Sequence, residues 1–399
     1  MYNQKDIESF LKLGYFLDYE NPKYSFDFSN IDKKRYAEAS FDELVEIGSD
    51  YFMDSLSNLF EKSGEHVVPL SGGLDSRAIL AGLLEFTDAS KINTYTFGTP
   101  KTLDYDIGNE IAGNVGTNHI NFPLTEYEYN MDEMIDISNR IDNQTVLFHH
   151  PPVNKLLKEY TGKHLWSGFL GGELTDARHT NYNQGSIKEL FIKQNYYTKN
   201  PDLLTNSSNE NLIKQLSFTN NPNLTEYEIL DYCNRQLKFI SPHVLMEGFE
   251  FKTPFLDENI LDFFWSIDNK FRENQILYKE ILLKTFPKLF SYRTKNNAGL
   301  PLNASKANLL RKKISNKLKR TMNFNNLHVN YLDFNKKIRE KKDLNKIVKD
   351  NIYDLQNRDI INGVNVIELF DNHINHKGNY GEDLLLLTSL EIHMKAKLL

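Results

Sequence analysis

The sequence has almost no cysteine and no long apolar run. A single cysteine, Cys233, excludes a disulfide within the chain and a cysteine-based metal cluster. No stretch approaches the roughly 20 apolar residues that a membrane span requires. The first residues show no apolar signal segment behind a basic leader. These absences predict a cytoplasmic protein, and its 399 residues are enough for an enzyme.

The sequence also has no excess of positive charge. Its formal net charge is -7, whereas a general nucleic-acid binder is expected to be basic. Residues 306–320 are the exception, with seven basic side chains and no acidic one. We interpret this stretch as the solvated face of a helix, with contact to a partner or an anionic substrate as the alternative. The rest of the composition is that of a globular protein.

Apolar segments alternate with helical patterns between residues 41 and 180. Ser40 and Glu43 form a capping box ahead of a predicted helix. Strands are predicted at residues 66–70, 92–97, 119–122 and 164–166, and helices at residues 77–85, 106–115, from Asp132 and from Val153. This alternation predicts an α/β fold with a doubly wound parallel sheet.

Strand signals fade beyond about residue 181. Residues 186–194, 226–239 and 276–286 instead have helical patterns. We therefore predict an N-terminal segment (1–40) and one domain (41–399), divided into a nucleotide-binding α/β part (41–180) and a helical part (181–399). The helical part is expected to cover the carboxyl ends of the strands, where ligands bind in such sheets.

The segment SGGLDS, which begins at Ser71, lies between a predicted strand and a predicted helix. Gly72 and Gly73 let the backbone turn sharply and bring its N–H groups against phosphate oxygens. The following helix points its positive end at the same anion. Ser71 and Ser76 add hydroxyl donors, and Asp75 can hold a magnesium ion. The segment lacks the Gly-Lys-Ser/Thr of a Walker loop, and it predicts a loop that binds the phosphates of a nucleotide.

With this loop the sequence resembles the N-type ATP pyrophosphatases, and further motifs are similar to the synthase domain of asparagine synthetases. In the family's order they are residues 94–98 (TYTFG), Asp104, residues 110–112, residues 116–119, residues 250–257 (EFKTPFLD), residues 279–284 and residues 293–295 (RTK). The resemblance runs from about residue 41 to the early 300s. An ordered set of motifs is far more specific than any one of them.

The resemblance implies an adenine nucleotide α-hydrolase-like fold and a two-step reaction with ATP and Mg²⁺. A substrate carboxylate attacks the α-phosphate, which releases pyrophosphate and leaves an acyl-adenylate. Ammonia or an amine then displaces AMP and forms an amide. The nucleotide-binding residues implied are Leu70, Ser71, Gly72, Gly73, Asp75, Ser76, Phe97, Gly98, Ser167 and Gly168.

The resemblance also assigns catalytic groups. Charge builds up on the α-phosphate and the departing pyrophosphate, so cations are needed there. Lys295 and Lys279 are the candidates, although a lone lysine is most often a surface residue. Asp257 would orient the lysine or the incoming amine, and an N-cap of the following helix explains it equally well. Glu173 completes the set.

One departure from the family lies at the start of the chain. Glutamine-dependent members begin with a glutaminase domain whose cysteine nucleophile follows the initiator methionine. Tyr2 stands at that place here, and the ATP loop begins as early as Ser71. We expect no glutaminase domain in this lead, so that the amine is free ammonia, the product of a partner or a group on the substrate.

A second departure lies in the acidic loop after the fourth strand, where the family has Ser-Gly-Glu-Gly-x-Asp-Glu. Phe169 replaces the first glutamate, and Gly172 replaces the aspartate that helps hold magnesium. We expect Glu173 or Asp176 to complete the metal site with Asp75. The bulky, apolar Phe169 predicts a second substrate other than that of asparagine synthesis.

The adjacent His149 and His150 precede two prolines. Neighbouring histidines point in different directions on regular structure, and no third ligand is close in sequence, so we expect a loop that lines the site.

Three functions are compatible with the sequence. The first is an amide-forming adenylating enzyme that acts on a small-molecule or peptide carboxylate, without membrane or nucleic acid. The second is a tRNA-modifying ATP pyrophosphatase, which the basic stretch favours and the net charge opposes. The third is a nucleotide-binding relative that has lost magnesium through Gly172.

Overall fold

The computed structural model describes residues 3–177, 186–321, 330–361 and 363–398. Its strands are β1 (His66–Pro69), β2 (Ile92–Gly98), β3 (Asn118–Pro123), β4 (His164–Trp166), β5 (Glu250–Lys252), β6 (Arg293–Thr294) and β7 (Leu300–Pro301). Its helices up to β5 are α1 (Gln4–Leu13), α2 (Phe41–Leu59), α3 (Asp75–Phe86), α4 (Leu103–Val115), α5 (Met131–Arg140), α6 (Val153–Tyr160), α7 (Gly171–Thr175), α8 (Ile187–Gln194), α9 (Glu210–Gln215), α10 (Glu226–Leu230) and α11 (Ser241–Val244). After β5 follow α12 (Glu258–Ser266), α13 (Asn269–Arg272), α14 (Ile276–Thr285), α15 (Pro287–Phe290), α16 (Lys306–Thr321), α17 (Phe334–Glu340), α18 (Lys342–Arg358), α19 (Val366–Ile374) and α20 (Gly381–Ala396).

Five strands form one parallel sheet in the order β3-β2-β1-β4-β5. Val67 and Val68 in the centre are fully buried because helices cover both faces of the sheet. The chain runs outward from β1 to β3 and then returns to the other side with β4. This arrangement confirms the predicted doubly wound α/β fold with a largely helical C-terminal half.

The prediction that strands end near residue 181 is wrong at two places. β5 comes from the C-terminal half and pairs with β4, with Leu165 opposite Phe251. β6 and β7 form a small antiparallel pair in which Arg293 lies opposite Pro301. The parallel sheet is therefore completed by β5, which lies beyond residue 180, the predicted end of the nucleotide-binding α/β part.

Most predicted helices are present with small shifts at their ends. Ser40 caps α2, and the reciprocal contact with Glu43 confirms the capping box. The segment predicted as one helix at 226–239 differs, because α10 is short and a π-helix follows at Asp231–Ile240. There the N–H of Ser241 donates to the carbonyl of Gln236 at the wider spacing of a π-helix. Within the described ranges no helix combines the length and apolar character that a membrane span needs.

Two large apolar cores hold the molecule, and the N-terminal segment reaches both. Phe10 of α1 packs among C-terminal helices that include α20, where Leu386 is fully buried. Phe28 lies edge-on to Trp265 of α12, with ring centroids 5.0 Å apart. The first 40 residues are thus packed against the synthase-like part rather than separate from it.

Candidate functional site

The glycine loop begins where β1 is tied to β2. The N–H of Leu70 donates to the carbonyl of Tyr95 over 2.7 Å, and the carbonyl of Leu70 accepts the Thr96 hydroxyl over 2.8 Å. In the next residues the N–H of Ser71 donates to the hydroxyl of Ser76 over 3.2 Å. These bonds fix the shape of the turn.

Gly72 brings the predicted catalytic lysine to this loop. The N–H of Lys295 donates to the carbonyl of Gly72 over 2.8 Å. A Cβ at Gly72 would lie 2.7 Å from the carbonyl oxygen of Leu103 and 3.2 Å from the Cβ of Lys295. Only glycine allows this approach. The ammonium group of Lys295 forms an ion pair with Asp104 of α4.

A cavity of about 350 Å³ lies beside the loop, and we call it the loop cavity. Its lining comprises Pro69, Leu70, Ser71, Tyr95, Phe97, Asp104, Lys295, Asn330 and Tyr331. The amide of Asn330 donates to the carbonyl of Phe97 over 3.0 Å, which fixes the end of β2. Gly98 follows with a φ of 145°, a conformation that favours glycine.

The acidic loop after β4 packs tightly against the start of α3. A Cβ at Gly168 would lie 2.9 Å from the Cβ of Asp75. The hydroxyl of Ser167 accepts the N–H of Phe169 over 3.2 Å and shapes the turn. The Phe169 side chain is buried, with its ring centroid 6.5 Å from that of Tyr24 in the N-terminal segment.

The carboxylates predicted to hold magnesium do not all share one cavity. Asp75 accepts the hydroxyl of Tyr278 over 3.1 Å at one oxygen, and a Cβ at Gly172 would lie 4.0 Å from the other. Glu173 borders the same cavity as Asp75. Asp176 instead accepts the N–H of Asn274 over 3.0 Å. Of the two predicted replacements for the family's aspartate, Glu173 is therefore the better placed.

Lys279 and Asp257 border neither the loop cavity nor the second cavity described below. The ammonium of Lys279 donates to the carbonyl of Asn274 over 2.6 Å, and burial lowers its pKa. Asp257 caps α12 by accepting the N–H groups of Asn259 at 3.0 Å and Ile260 at 3.4 Å. The N-cap is thus present, and the catalytic roles of both residues stay predictions.

Arg77 is a residue that the sequence reading did not single out. Its fully buried guanidinium donates to the carbonyls of Arg293 at 2.8 Å and Tyr292 at 3.3 Å. Burial lowers the pKa of Arg77 to about 10. Arg77 follows the loop directly and holds the segment that leads to Lys295. Its only sequence signal was a charge at a position where the helix enters the core.

A second cavity of about 370 Å³ also borders the loop, and we call it the apolar cavity. Its end at the loop is formed by Asp75, Ser167, Gly168, Phe169, Leu170, Gly172 and Glu173. Its lining also includes His149, His150 and His243, so the predicted His149–His150 loop borders this cavity. The two cavities share Pro69, Tyr95, Phe97 and Tyr331.

The fold and this site define an α/β nucleotide-binding protein with its glycine loop at the carboxyl end of a central parallel strand. The sequence profile of the asparagine synthase family matches residues 50–185 and 241–395. The chain therefore belongs to the asparagine synthase family, whose members use ATP to form carbon–nitrogen bonds. No curated protein matches the chain.

Proposed function

We propose that this protein uses ATP to activate a substrate carboxylate as an acyl-adenylate and then couples the acyl group to ammonia or an amine. The observation that carries the proposal is the contact between the glycine loop and Lys295, two segments more than 200 residues apart in sequence. A donor-rich turn and a cation at one cavity suit the stabilisation of a phosphate that gains charge.

In the first step a carboxylate oxygen attacks the α-phosphorus, and the bond from that phosphorus to the bridging oxygen of the β-phosphate breaks. Pyrophosphate leaves with the electron pair. The N–H groups of the loop and the hydroxyls of Ser71 and Ser76 bind phosphate oxygens. Lys295 neutralises the departing charge, and Asp104 keeps its ammonium beside the loop.

In the second step the amine nitrogen attacks the acyl carbon, and the bond from that carbon to the phosphate oxygen of AMP breaks. AMP leaves with the electron pair, and the nitrogen releases its proton to solvent. Phe169 carries no group that can accept this proton or orient the amine. The family's glutamate is absent at this position, which supports an amine other than that used in ordinary asparagine synthesis. A separate partner that supplies the amine is compatible with this proposal.

Carboxylate oxygens are the ligands that magnesium prefers, and Asp75 and Glu173 border one cavity. These two residues would hold the ion, which would supply charge neutralisation at the phosphates. The Tyr278 hydroxyl stays protonated as a donor to Asp75, because burial and the neighbouring carboxylate raise its pKa well above the ordinary value.

The test is exchange of labelled pyrophosphate into ATP, with magnesium and a panel of carboxylic acids. We expect exchange that depends on the acid, and a fall of about 100-fold or more in Lys295→Met. Lys270→Met is the matched control, since the Lys270 side chain is 65% exposed on α13. Release of ADP and phosphate in place of pyrophosphate would contradict the proposal.

A nucleotide-binding protein without catalysis is the second candidate, and the absence of a carboxylate at Gly172 favours it. It predicts that ATP binds and stabilises the protein while no acid in the panel supports exchange. Binding that is independent of magnesium would favour this candidate over the enzyme.

A further inference from the structure

The lining of the apolar cavity includes a histidine whose ring nitrogens have no hydrogen-bond partner among the residues that the structure describes. His150 is 4% exposed, and neither of its ring nitrogens forms a hydrogen bond to any described residue. Its ring lies against that of His243, with centroids 4.0 Å apart. Buried polar groups are almost always hydrogen-bonded, so an exception at the wall of a cavity points to a ligand.

The two neighbouring histidines differ from His150 in this respect. His243 contacts the carbonyl of His149 over 3.3 Å and the hydroxyl of Thr145 over 3.5 Å. The His149 ring contacts the hydroxyl of Tyr197 over 3.4 Å. The other nitrogen of His149 lies 3.8 Å from a carboxylate oxygen of Glu382, so both histidines have polar partners in the protein. Burial holds all three imidazoles in the neutral form by lowering each pKa. A neutral imidazole offers one donor and one acceptor.

The rest of the cavity is unsuited to a small charged substrate. Its described lining includes no lysine or arginine, and its two carboxylates, Asp75 and Glu173, lie at the loop end. Much of the remaining lining is apolar, with Leu156, Leu165, Ile240, Met246, Phe249 and Phe251 among its residues. An amino acid such as aspartate would bring an α-carboxylate to which no cation of this lining could bind. The volume is in the range of small-molecule sites.

We propose that the apolar cavity binds the acyl part of the substrate, and that this substrate is an apolar acid with a neutral hydroxyl or amide group that pairs with His150. The acid's carboxylate would lie at the loop end, beside Ser167 and Gly168, and its apolar body would fill the cavity. This inference rests on the proposed function, because it assigns the acid that is adenylated.

The test measures binding by calorimetry to the full chain in the presence of α,β-methylene-ATP, which cannot be split between these phosphates. The probes are 3-(4-hydroxyphenyl)propanoate, 3-phenylpropanoate and aspartate. We expect both aryl acids to bind and aspartate not to bind. The hydroxyl acid should bind about fivefold more tightly than the phenyl acid, as expected for one neutral hydrogen bond.

His150→Phe should abolish this preference while the phenyl acid still binds. His150→Gln, which keeps a donor and an acceptor, should retain part of it. A purely structural role of His150 would weaken both aryl acids equally. His119→Phe is the matched control, because His119 lies on β3 and borders neither cavity.

Three results would overturn the inference: tighter binding of aspartate, no binding of either aryl acid, or an adenine ring that fills the apolar cavity in a structure with the nucleotide. The proposed function can fail separately. Aryl acids that bind without supporting pyrophosphate exchange would leave this site in place and remove adenylation. Exchange supported only by aspartate would leave adenylation in place and remove the proposed site for an apolar acid.

Discussion

Gly172 has only a hydrogen atom as its side chain, at the position where the resemblance to the family implies an aspartate. A Cβ there would lie 4.0 Å from the nearer oxygen of Asp75, an ordinary contact. Gly172→Asp should therefore fit and add a third carboxylate to the proposed magnesium site, beside Asp75 and Glu173. We expect the magnesium concentration that half-saturates nucleotide binding to fall, by roughly tenfold on the scale of single-residue effects at metal sites.

The control for this variant is Gly113→Asp, because a Cβ at Gly113 would meet nothing within 4 Å. It adds the same charge on α4 away from the loop. An unchanged magnesium dependence in Gly172→Asp would mean that Glu173 already completes the site, or that Asp75 holds no ion.

Arg77 connects the glycine loop to Lys295 through the interior. Arg77→Met would leave the carbonyls of Tyr292 and Arg293 without their donor, which should lower the free energy of unfolding by about 1–3 kcal/mol. The segment before Lys295 should also loosen, so the KM for ATP should rise. Arg77→Lys should restore only part of the stability and of the normal KM, because an ammonium group cannot reproduce the planar set of N–H donors of a guanidinium.

Chemical denaturation and exchange kinetics measure these two effects. Arg35→Met, at an exposed position of the N-terminal segment, is the control for loss of a guanidinium. An Arg77→Met protein with normal stability and a normal KM would remove the positioning role.

At the scale of elements, Asp257 has one demonstrated task, the N-cap of α12. Asp257→Ala should lower the free energy of unfolding by about 1 kcal/mol, whereas Asp257→Asn should retain it because asparagine caps equally well. Thermal unfolding of the two variants checks this. Pyrophosphate exchange by Asp257→Asn then separates the roles, since loss of exchange in a stable protein would show a catalytic carboxylate.

The elements that the sequence predicted are those whose pattern is local. β1 and β4 are short buried runs, and Ser40 and Glu43 signal the start of α2 within four residues. β5 has no such pattern, because Glu250 is exposed and only pairing with β4 makes it a strand. The π-helix at Asp231–Ile240 has an ordinary helical sequence.

The same limit applies to the site. The loop and Lys295 were predicted because each lies in a recognisable motif. His150 and His243 are 93 positions apart, and only the fold stacks their rings. Tyr278 and Asp104 likewise meet their partners through tertiary packing. Contacts between distant segments carry no local signal, so the sequence alone could not predict which side chains meet in the apolar cavity.

At the scale of the whole molecule, buried histidines should make stability depend on pH. Burial lowers the pKa of His149 and of His243 to about 4 and that of His393 to about 3. In the unfolded chain these groups titrate near 6.5. As the pH falls below about 6.5, these histidines bind protons in the unfolded state but stay neutral in the folded state. The free energy of unfolding therefore decreases down to about pH 4. Asp383 acts in the opposite direction, since burial raises its pKa to about 6.

Each of these imidazoles contributes a slope of about 1.4 kcal/mol per pH unit within this window. Three such groups outweigh the single opposing effect of Asp383. Because a net stability of roughly 5–15 kcal/mol is typical of folded proteins, their combined loss should unfold the protein in mild acid. Denaturation at pH values from 7.5 to 4.5 measures the slope. His393→Gln should reduce it by one group, although the variant is less stable throughout. His376→Gln, at an exposed position, should leave the slope unchanged. Stability that is constant or rises towards acid pH would show that these imidazoles reach solvent or gain an anionic partner on protonation.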